Sequence, residues 1–296
     1  MFPILPRGWM TMGTQAKRSK GTRQSSTATD RSKRTSRRRE SREPDLRQLV
    51  LADLATLRIP LGEEGLDRIL KEAEQEGLSH LAFLQRLLSP SASGRRERAI
   101  ERRIGEARFA DVKRLEDFDW TFNAESIQRS QIEELATGEF VRRGDNLVMV
   151  GQSGVGKSHL LQALGRRHCS LGYRVRYTTS ASLIQDLTAS LADQTLASRL
   201  RYWSRFDLLI IDEFGFDKVE RQMCDQAASL LYKVLDARSG RRSTALATNV
   251  DFEAWAEYLG DPPLAMAFLD RVVDGAIILK IKGKSYRVER IQKAPE

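Results

Sequence analysis

The stretch Gly151-Gln152-Ser153-Gly154-Val155-Gly156-Lys157-Ser158 places residues for phosphate chemistry at the spacing G-x-x-x-x-G-K-S. Glycines let backbone N–H groups close on phosphate oxygens, and a helix starting at the end of the loop adds the positive end of its dipole. Lys157 supplies a point charge for the β- and γ-phosphates, and the Ser158 hydroxyl is a hard oxygen ligand suited to Mg²⁺. Downstream, an apolar run ends in Asp212-Glu213. Asp212 is placed to hold Mg²⁺ directly or through water, and Glu213 to orient the attacking water or take its proton. Asn249 closes Ala245-Leu246-Ala247-Thr248 and is either an amide that senses the γ-phosphate or a turn former. Arg271 is either an arginine finger presented to a neighbouring subunit's nucleotide or half of a surface ion pair with Asp270 or Asp274. Phe118, Trp120 and Phe122 either approach a base or pack as core. These residues suit binding and hydrolysis of a nucleoside triphosphate.

Such residues work only if strands and helices bring them together. Leu147-Val148-Met149-Val150 reads as the strand before the loop, and His159 onward as the helix after it. Alternation continues with strands at 173–178, 206–211 and 243–247 and helices at 180–200 and 222–237. Two more helices, 252–258 and 264–272, precede expected closing strands at 276–281 and 285–291 around Gly283. Continuous apolar strands alternating with helices predict an α/β fold, a parallel sheet covered on both faces, with the carboxylates at its C-terminal edge.

Upstream lies a different pattern. Helical spacing at 46–57, 63–77 and 79–88 predicts a small helical domain, interrupted by Ser89-Pro90-Ser91-Ala92-Ser93-Gly94. The basic segment 95–114 is either a DNA-contacting helix or a solvated helix joining two domains. The expected organisation is a tail at 1–44, a helical domain at 45–115 and a nucleotide domain at 116–296.

Of 296 residues, the first 44 carry twelve Lys/Arg against three Asp/Glu, which is the whole of the +9 formal charge. That tail is Arg- and Ser-rich and poor in apolar periodicity, so disorder is expected. It is a basic arm for nucleic acid, a solvated tail from an early start site, or a transit segment. No window approaches a membrane span of about 18 apolar residues. Cys169 and Cys224 lack a partner pattern and read as reduced cytosolic packing residues. His80, His159 and His168 lack metal-ligand spacing.

Taken together, GQSGVGKSH, DLLIIDEFG, ALATN and FLDRVVDGAIILKIKGKSYR resemble the IstB family of AAA+ ATPases, helper proteins encoded beside the transposase of bacterial insertion sequences. ELATGEFVRRGDNLVMVG, FEAWAEYLGD and LRIPLGEEGLDRILKEAEQEGLSHLAFLQRLL extend the resemblance to roughly residues 45–291. The replicative helicase loader shares the ATPase core and is the alternative. The resemblance implies a cytoplasmic ATPase using ATP and Mg²⁺, a homo-oligomer in the ATP state that binds duplex DNA and engages a transposase. It further implies phosphate binding by Gly151, Gly154, Gly156 and Lys157, metal binding by Ser158 and Asp212, a catalytic carboxylate at Glu213, a sensor at Asn249 and a finger at Arg271. The basic tail and the Ser-Pro-Ser-Ala-Ser-Gly stretch depart from the family pattern, and a C-terminal lid domain is not apparent.

Overall fold

Strands with no polar alternation belong in a sheet buried on both sides. The computed structural model describes residues 45–215 and 226–292. The tail at 1–44, the start of the helix expected at 222 and Cys224 lie outside those residues. Five parallel strands, β1 (Leu147–Gly151), β2 (Val175–Thr179), β3 (Leu208–Phe214), β4 (Ser243–Thr248) and β5 (Ile277–Ile281), take the order β2-β3-β4-β1-β5. The two-residue period sends Leu147, Met149, Leu208 and Ile210 into one core and Val148, Val150, Leu209 and Ile211 into the other.

Helices close both cores. The first three in the described chain are α1 (Leu46–Thr56), α2 (Glu63–Glu76) and α3 (His80–Ala107). The first core is covered by α4 (Arg129–Leu135), α5 (Glu139–Arg143) and α6 (Lys157–Ser170). The second is covered by α7 (Ser180–Ala192), α8 (Leu196–Ser204), α9 (Ala227–Arg238), α10 (Trp255–Leu259) and α11 (Pro262–Val273). The α/β architecture expected from the alternation is therefore the one observed. Among the described residues no helix is long and apolar enough to cross a membrane.

Three local expectations are corrected. The Ser-Pro-Ser-Ala-Ser-Gly stretch does not interrupt a helix; α3 runs through Pro90 for 28 residues and stops at Ala107, short of 114. An interior proline removes one helical hydrogen bond and costs about 3 kcal/mol. Contacts on both sides of Pro90 offset that cost. Arg86 pairs with Glu76 at 2.8 Å, Arg95 donates to the Leu57 and Arg58 carbonyls at the end of α1, and Ala107 is fully buried in the first core. Thus α3 joins the helical region to the sheet. The helix expected at 180–200 is two, parted at Gln194 with φ 56°. Arg199 binds Asp186 and folds α8 back on α7, which buries Trp203.

The third correction bears on the site. Residues 285–291 are not a closing strand; Tyr286–Gln292 forms a helix, α12. The turn into this helix is fixed at Lys284, next to the expected strand. Asn123 Nδ2 donates to the Lys284 carbonyl, and the Lys284 N–H donates to Asn123 Oδ1, each at 3.0 Å. The Tyr286 N–H then donates to the Gly154 carbonyl at 2.9 Å. The start of α12 is tied to the loop that follows β1.

Candidate active site

β1 delivers Gly151 to the C-terminal edge of the sheet, and the chain wraps into α6, which begins at Lys157 behind Gly156 at φ 107°. Gly154, at φ 85°, lies so close to α12 that a Cβ there would stand 2.0 Å from Ser285 Oγ. Lys157 is 9% exposed, and its ammonium donates to the Gly151 carbonyl at 2.6 Å and the Gln152 carbonyl at 2.8 Å. Burial holds its pKa below the usual lysine value; Asp212 pulls it back up, and Arg287 pushes it down again. A desolvated ammonium resting on neutral carbonyls is poised for an anion.

The second half of the site comes from β3, two strands away from β1. Asp212 is 2% exposed, and three donors fix its carboxylate. The Ser158 hydroxyl donates to Oδ1 at 3.0 Å, the Glu213 N–H to Oδ1 at 2.8 Å, and the Tyr177 hydroxyl to Oδ2 at 2.9 Å. Burial first, and Asp212 next, raise the Tyr177 pKa above the usual tyrosine range, so the hydroxyl keeps its proton and donates. Glu213 takes φ 59°, and the β3–β4 register shifts between Ile211 and Phe214. That conformation costs of order 1–3 kcal/mol in a non-glycine residue. It turns Glu213 outward while Phe214 is buried against Trp255, Tyr258 and Phe268.

These groups share a cavity of about 740 Å³. Ser153, Gly154, Val155, Gly156, Lys157, Ser158, Asp212, Glu213 and Asn249 all line it, as do Phe118, Phe122 and Arg287. Gly151 and Gln152 do not; their carbonyls hold Lys157 instead. Asn249 follows β4, where Thr248 Oγ1 accepts from the Val250 N–H at 3.0 Å and Trp255 Nε1 donates to the Val250 carbonyl at 3.0 Å, fixing the turn. Of the three aromatics, Trp120 stays outside the cavity and packs edge-on against Phe118 at 4.9 Å.

Arg271 is not brought to this cavity. Its Nε donates to Asp236 Oδ1 at 3.0 Å, and its guanidinium lies 3.6 Å from Asp270, so within one chain it is a surface ion pair. Asp236, from α9, was not among the partners expected. Sequence reasoning also missed Tyr177. Its β2 position becomes relevant only because β2 pairs with β3, with Thr179 opposite Asp212, and strand adjacency has no local signal. Arg287, the residue the sequence left open as a replacement for a lid arginine, stands on α12 and lines the cavity.

The donor set fits Mg²⁺ with a triphosphate. Ser158 and Asp212 are hard oxygen donors in contact, and Mg²⁺ commonly takes one or two such protein groups with water and phosphate oxygens. Among the described residues no cluster of three His, Cys, Asp or Glu offers a richer metal site.

The chain matches the family described as "IstB-like ATP binding protein" over residues 52–294. It is 36% identical over 229 residues to the "Insertion sequence IS21 putative ATP-binding protein" of Pseudomonas aeruginosa, covering 77% of this chain and 84% of that one. It is 30% identical over 242 residues to the "Insertion sequence IS232 putative ATP-binding protein" of Bacillus thuringiensis subsp. berliner, covering 82% and 95%. Among solved structures, "Crystal Structure of the DnaI" aligns with a TM-score of 0.48 at 22% identity over 57% of this chain and 90% of that one. With the loop, the strand-end carboxylates and α12 all inside the matched span, this chain belongs to the IstB-like ATP-binding protein family.

Proposed function

We propose that the chain is a Mg²⁺-dependent ATPase of DNA transposition, whose ATP state governs its assembly on duplex DNA and its engagement of the transposase of the same mobile element. The observation that carries the ATPase part is the 3.0 Å contact of Ser158 with Asp212 in the cavity that also holds Lys157 and Glu213. The relatives' names, which place them in insertion sequences, support the transposition part.

Each residue has a separable task. Backbone N–H groups of the loop and the Lys157 ammonium bind the β- and γ-phosphates. Ser158 and Asp212 would hold Mg²⁺, which supplies neutralisation of phosphate charge when bound. Glu213 accepts a proton from the attacking water or orients it, and Asn249 positions that water against the γ-phosphate. Arg271 serves a neighbouring subunit, so turnover depends on assembly. This oligomer assembles in the cytoplasm.

The test combines nucleotide and duplex binding in the full chain. Lys157→Ala abolishes ATP binding, while Glu213→Gln retains it and slows turnover by about 10²-fold or more. Labelled duplex is bound more tightly with ATP than without. Duplex binding that ignores ATP in both wild type and Lys157→Ala would overturn the coupling.

A further inference from the structure

One face of the molecule gathers arginines that the fold leaves short of carboxylates. It lies where α3 ends against the edge strand β2, and its members sit near the start of β2 and just before β3, away from the strand ends that line the cavity. Arg176 lays its guanidinium 5.8 Å from the Tyr202 ring centroid and 5.6 Å from that of Trp203. Arg199 and Arg205 approach the same Tyr202 ring at 5.0 and 4.5 Å. Arg201 precedes Arg205 by one helical turn. Arg108, at the end of α3, completes the group: burial lowers the Arg176 pKa, and crowding by Arg108 and Arg205 adds to that.

Against these five arginines stands Asp186, which Arg199 binds through both oxygens and Trp203 Nε1 contacts at 2.8 Å. Glu106, in the last turn of α3, sets its carboxylate 3.9 Å from Arg102 and offers Arg176 only its carbonyl. Among the described residues Arg108, Arg201 and Arg205 make no ion pair. Crowded cations of this kind repel one another and add nothing to the folded state. Three of the five, Arg176, Arg199 and Arg205, are also held in place, because contact with the Tyr202, Trp203 and Phe206 rings fixes guanidiniums that would otherwise lose rotamer freedom on binding.

A single acidic side chain would satisfy one of these groups; a chain of regularly spaced phosphates satisfies several at once. The Tyr202 ring is packed by guanidiniums and by the edges of Trp203 and Phe206 at 5.2 and 5.3 Å. It therefore offers no open platform for the base stacking that single-strand binders use. We propose that Arg108, Arg176, Arg199, Arg201 and Arg205 form a surface that grips the phosphate backbone of duplex DNA without reading its sequence. This rests on the duplex-binding reading above and adds the surface that performs it. Backbone contacts of this type position a protein on the duplex and carry no base information.

The experiment uses the full chain with ATP and compares an Arg108→Gln/Arg201→Gln/Arg205→Gln variant with a control carrying Arg68→Gln/Lys71→Gln/Lys233→Gln. The control removes the same charge from exposed positions elsewhere. Duplex affinity is measured by anisotropy across a salt series. The surface variant loses about 10-fold in affinity or more, and the slope of log K against log salt falls by about 1 for each phosphate contact removed. The control changes that slope by less than one contact, and both variants keep wild-type ATP binding. A surface variant with the wild-type slope, or a control with an equal loss, overturns the assignment. Wild-type protein that binds no duplex refutes the functional reading itself, whereas wild-type binding matched by the surface variant refutes only this surface. Arg201→Gln alone, expected to lower the slope by about 1, guards against a triple variant that folds poorly.

Discussion

Tyr177→Phe separates the arrangement of Asp212, the carboxylate proposed to hold Mg²⁺, from the carboxylate itself. The ring stays, so its packing with Phe109, 6.2 Å between centroids, is retained; what leaves is the hydroxyl that donates to Asp212 Oδ2 at 2.9 Å. Asp212 is 2% exposed and Tyr177 8%, so water does not readily replace that donor. A hydrogen bond to a buried charged group is worth about 1.5–3 kcal/mol, and that is the loss in folding stability expected without nucleotide. The orientation of Oδ1 toward Ser158 then rests on the Ser158 hydroxyl and the Glu213 N–H alone. Loss of an outer partner of a metal ligand typically costs 10–100-fold in metal affinity or activity. The Mg²⁺ concentration for half-maximal ATP hydrolysis therefore rises by about 10-fold or more, while ATP binding measured in EDTA stays at the wild-type level. Urea unfolding of the apo protein and a Mg²⁺ titration of turnover make the two measurements. A variant that loses stability but keeps the wild-type Mg²⁺ titration would refute the reasoning, because Tyr177 would then be only a packing residue.

Three further outcomes follow from other parts of the structure. His168 is buried with Nε2 donating to the Leu135 carbonyl at 3.0 Å and Nδ1 without a partner, and burial depresses its pKa from 6.5 to about 4. The unfolded chain then binds the proton first as pH falls, so stability is full above pH 6.5 and about 2 kcal/mol is lost by pH 5; the slope should vanish in His168→Gln. Arg271→Ala should bind ATP normally yet lower hydrolysis by about 10³-fold in the assembled state, and wild-type turnover in that variant would leave Arg271 as the Asp236 ion pair alone. Asn123→Ala removes both hydrogen bonds that pin Lys284, so residues 282–292 should exchange amide hydrogens faster and ATP affinity should fall; unchanged exchange would show that the tie of Tyr286 to Gly154 suffices.

The second core explains how Glu213, the proposed catalytic carboxylate, is held in an unfavourable backbone conformation. Phe214 follows Glu213 directly, stacks with Phe268 at 5.4 Å and packs at a tilt against Trp255 at 4.9 Å. Burying a side chain of this size contributes about 1.5–3 kcal/mol, enough to offset the strain at Glu213. Phe268 belongs to α11, the helix that carries Arg271, so the strand end with Glu213 and the helix with the candidate finger share one packed cluster.

The sequence by itself determined the nucleotide chemistry and most of the scaffold. Gly154 and Gly156 must take positive φ, Lys157 must follow them, and Leu208–Ile211 must be buried on both faces; each requirement is local and is met by residue type alone. Tertiary structure decided the rest. The period of residues 285–291 is compatible with a strand, but the segment is helix α12, entered through Lys284 bonded to Asn123, 161 positions away, and Tyr286 bonded to Gly154. Pro90 carries a stop signal, yet the hydrogen bonds from Arg95 of α3 to the carbonyls after α1 and the burial of Ala107 in the first core keep α3 continuous. Tyr177 reaches Asp212 because β2 pairs with β3, and the arginines around Tyr202 meet because α3, β2 and α8 converge. Local signals fix what a segment can do; strand order and long-range hydrogen bonds, which cost chain entropy to close and have no sequence period, fix what it does.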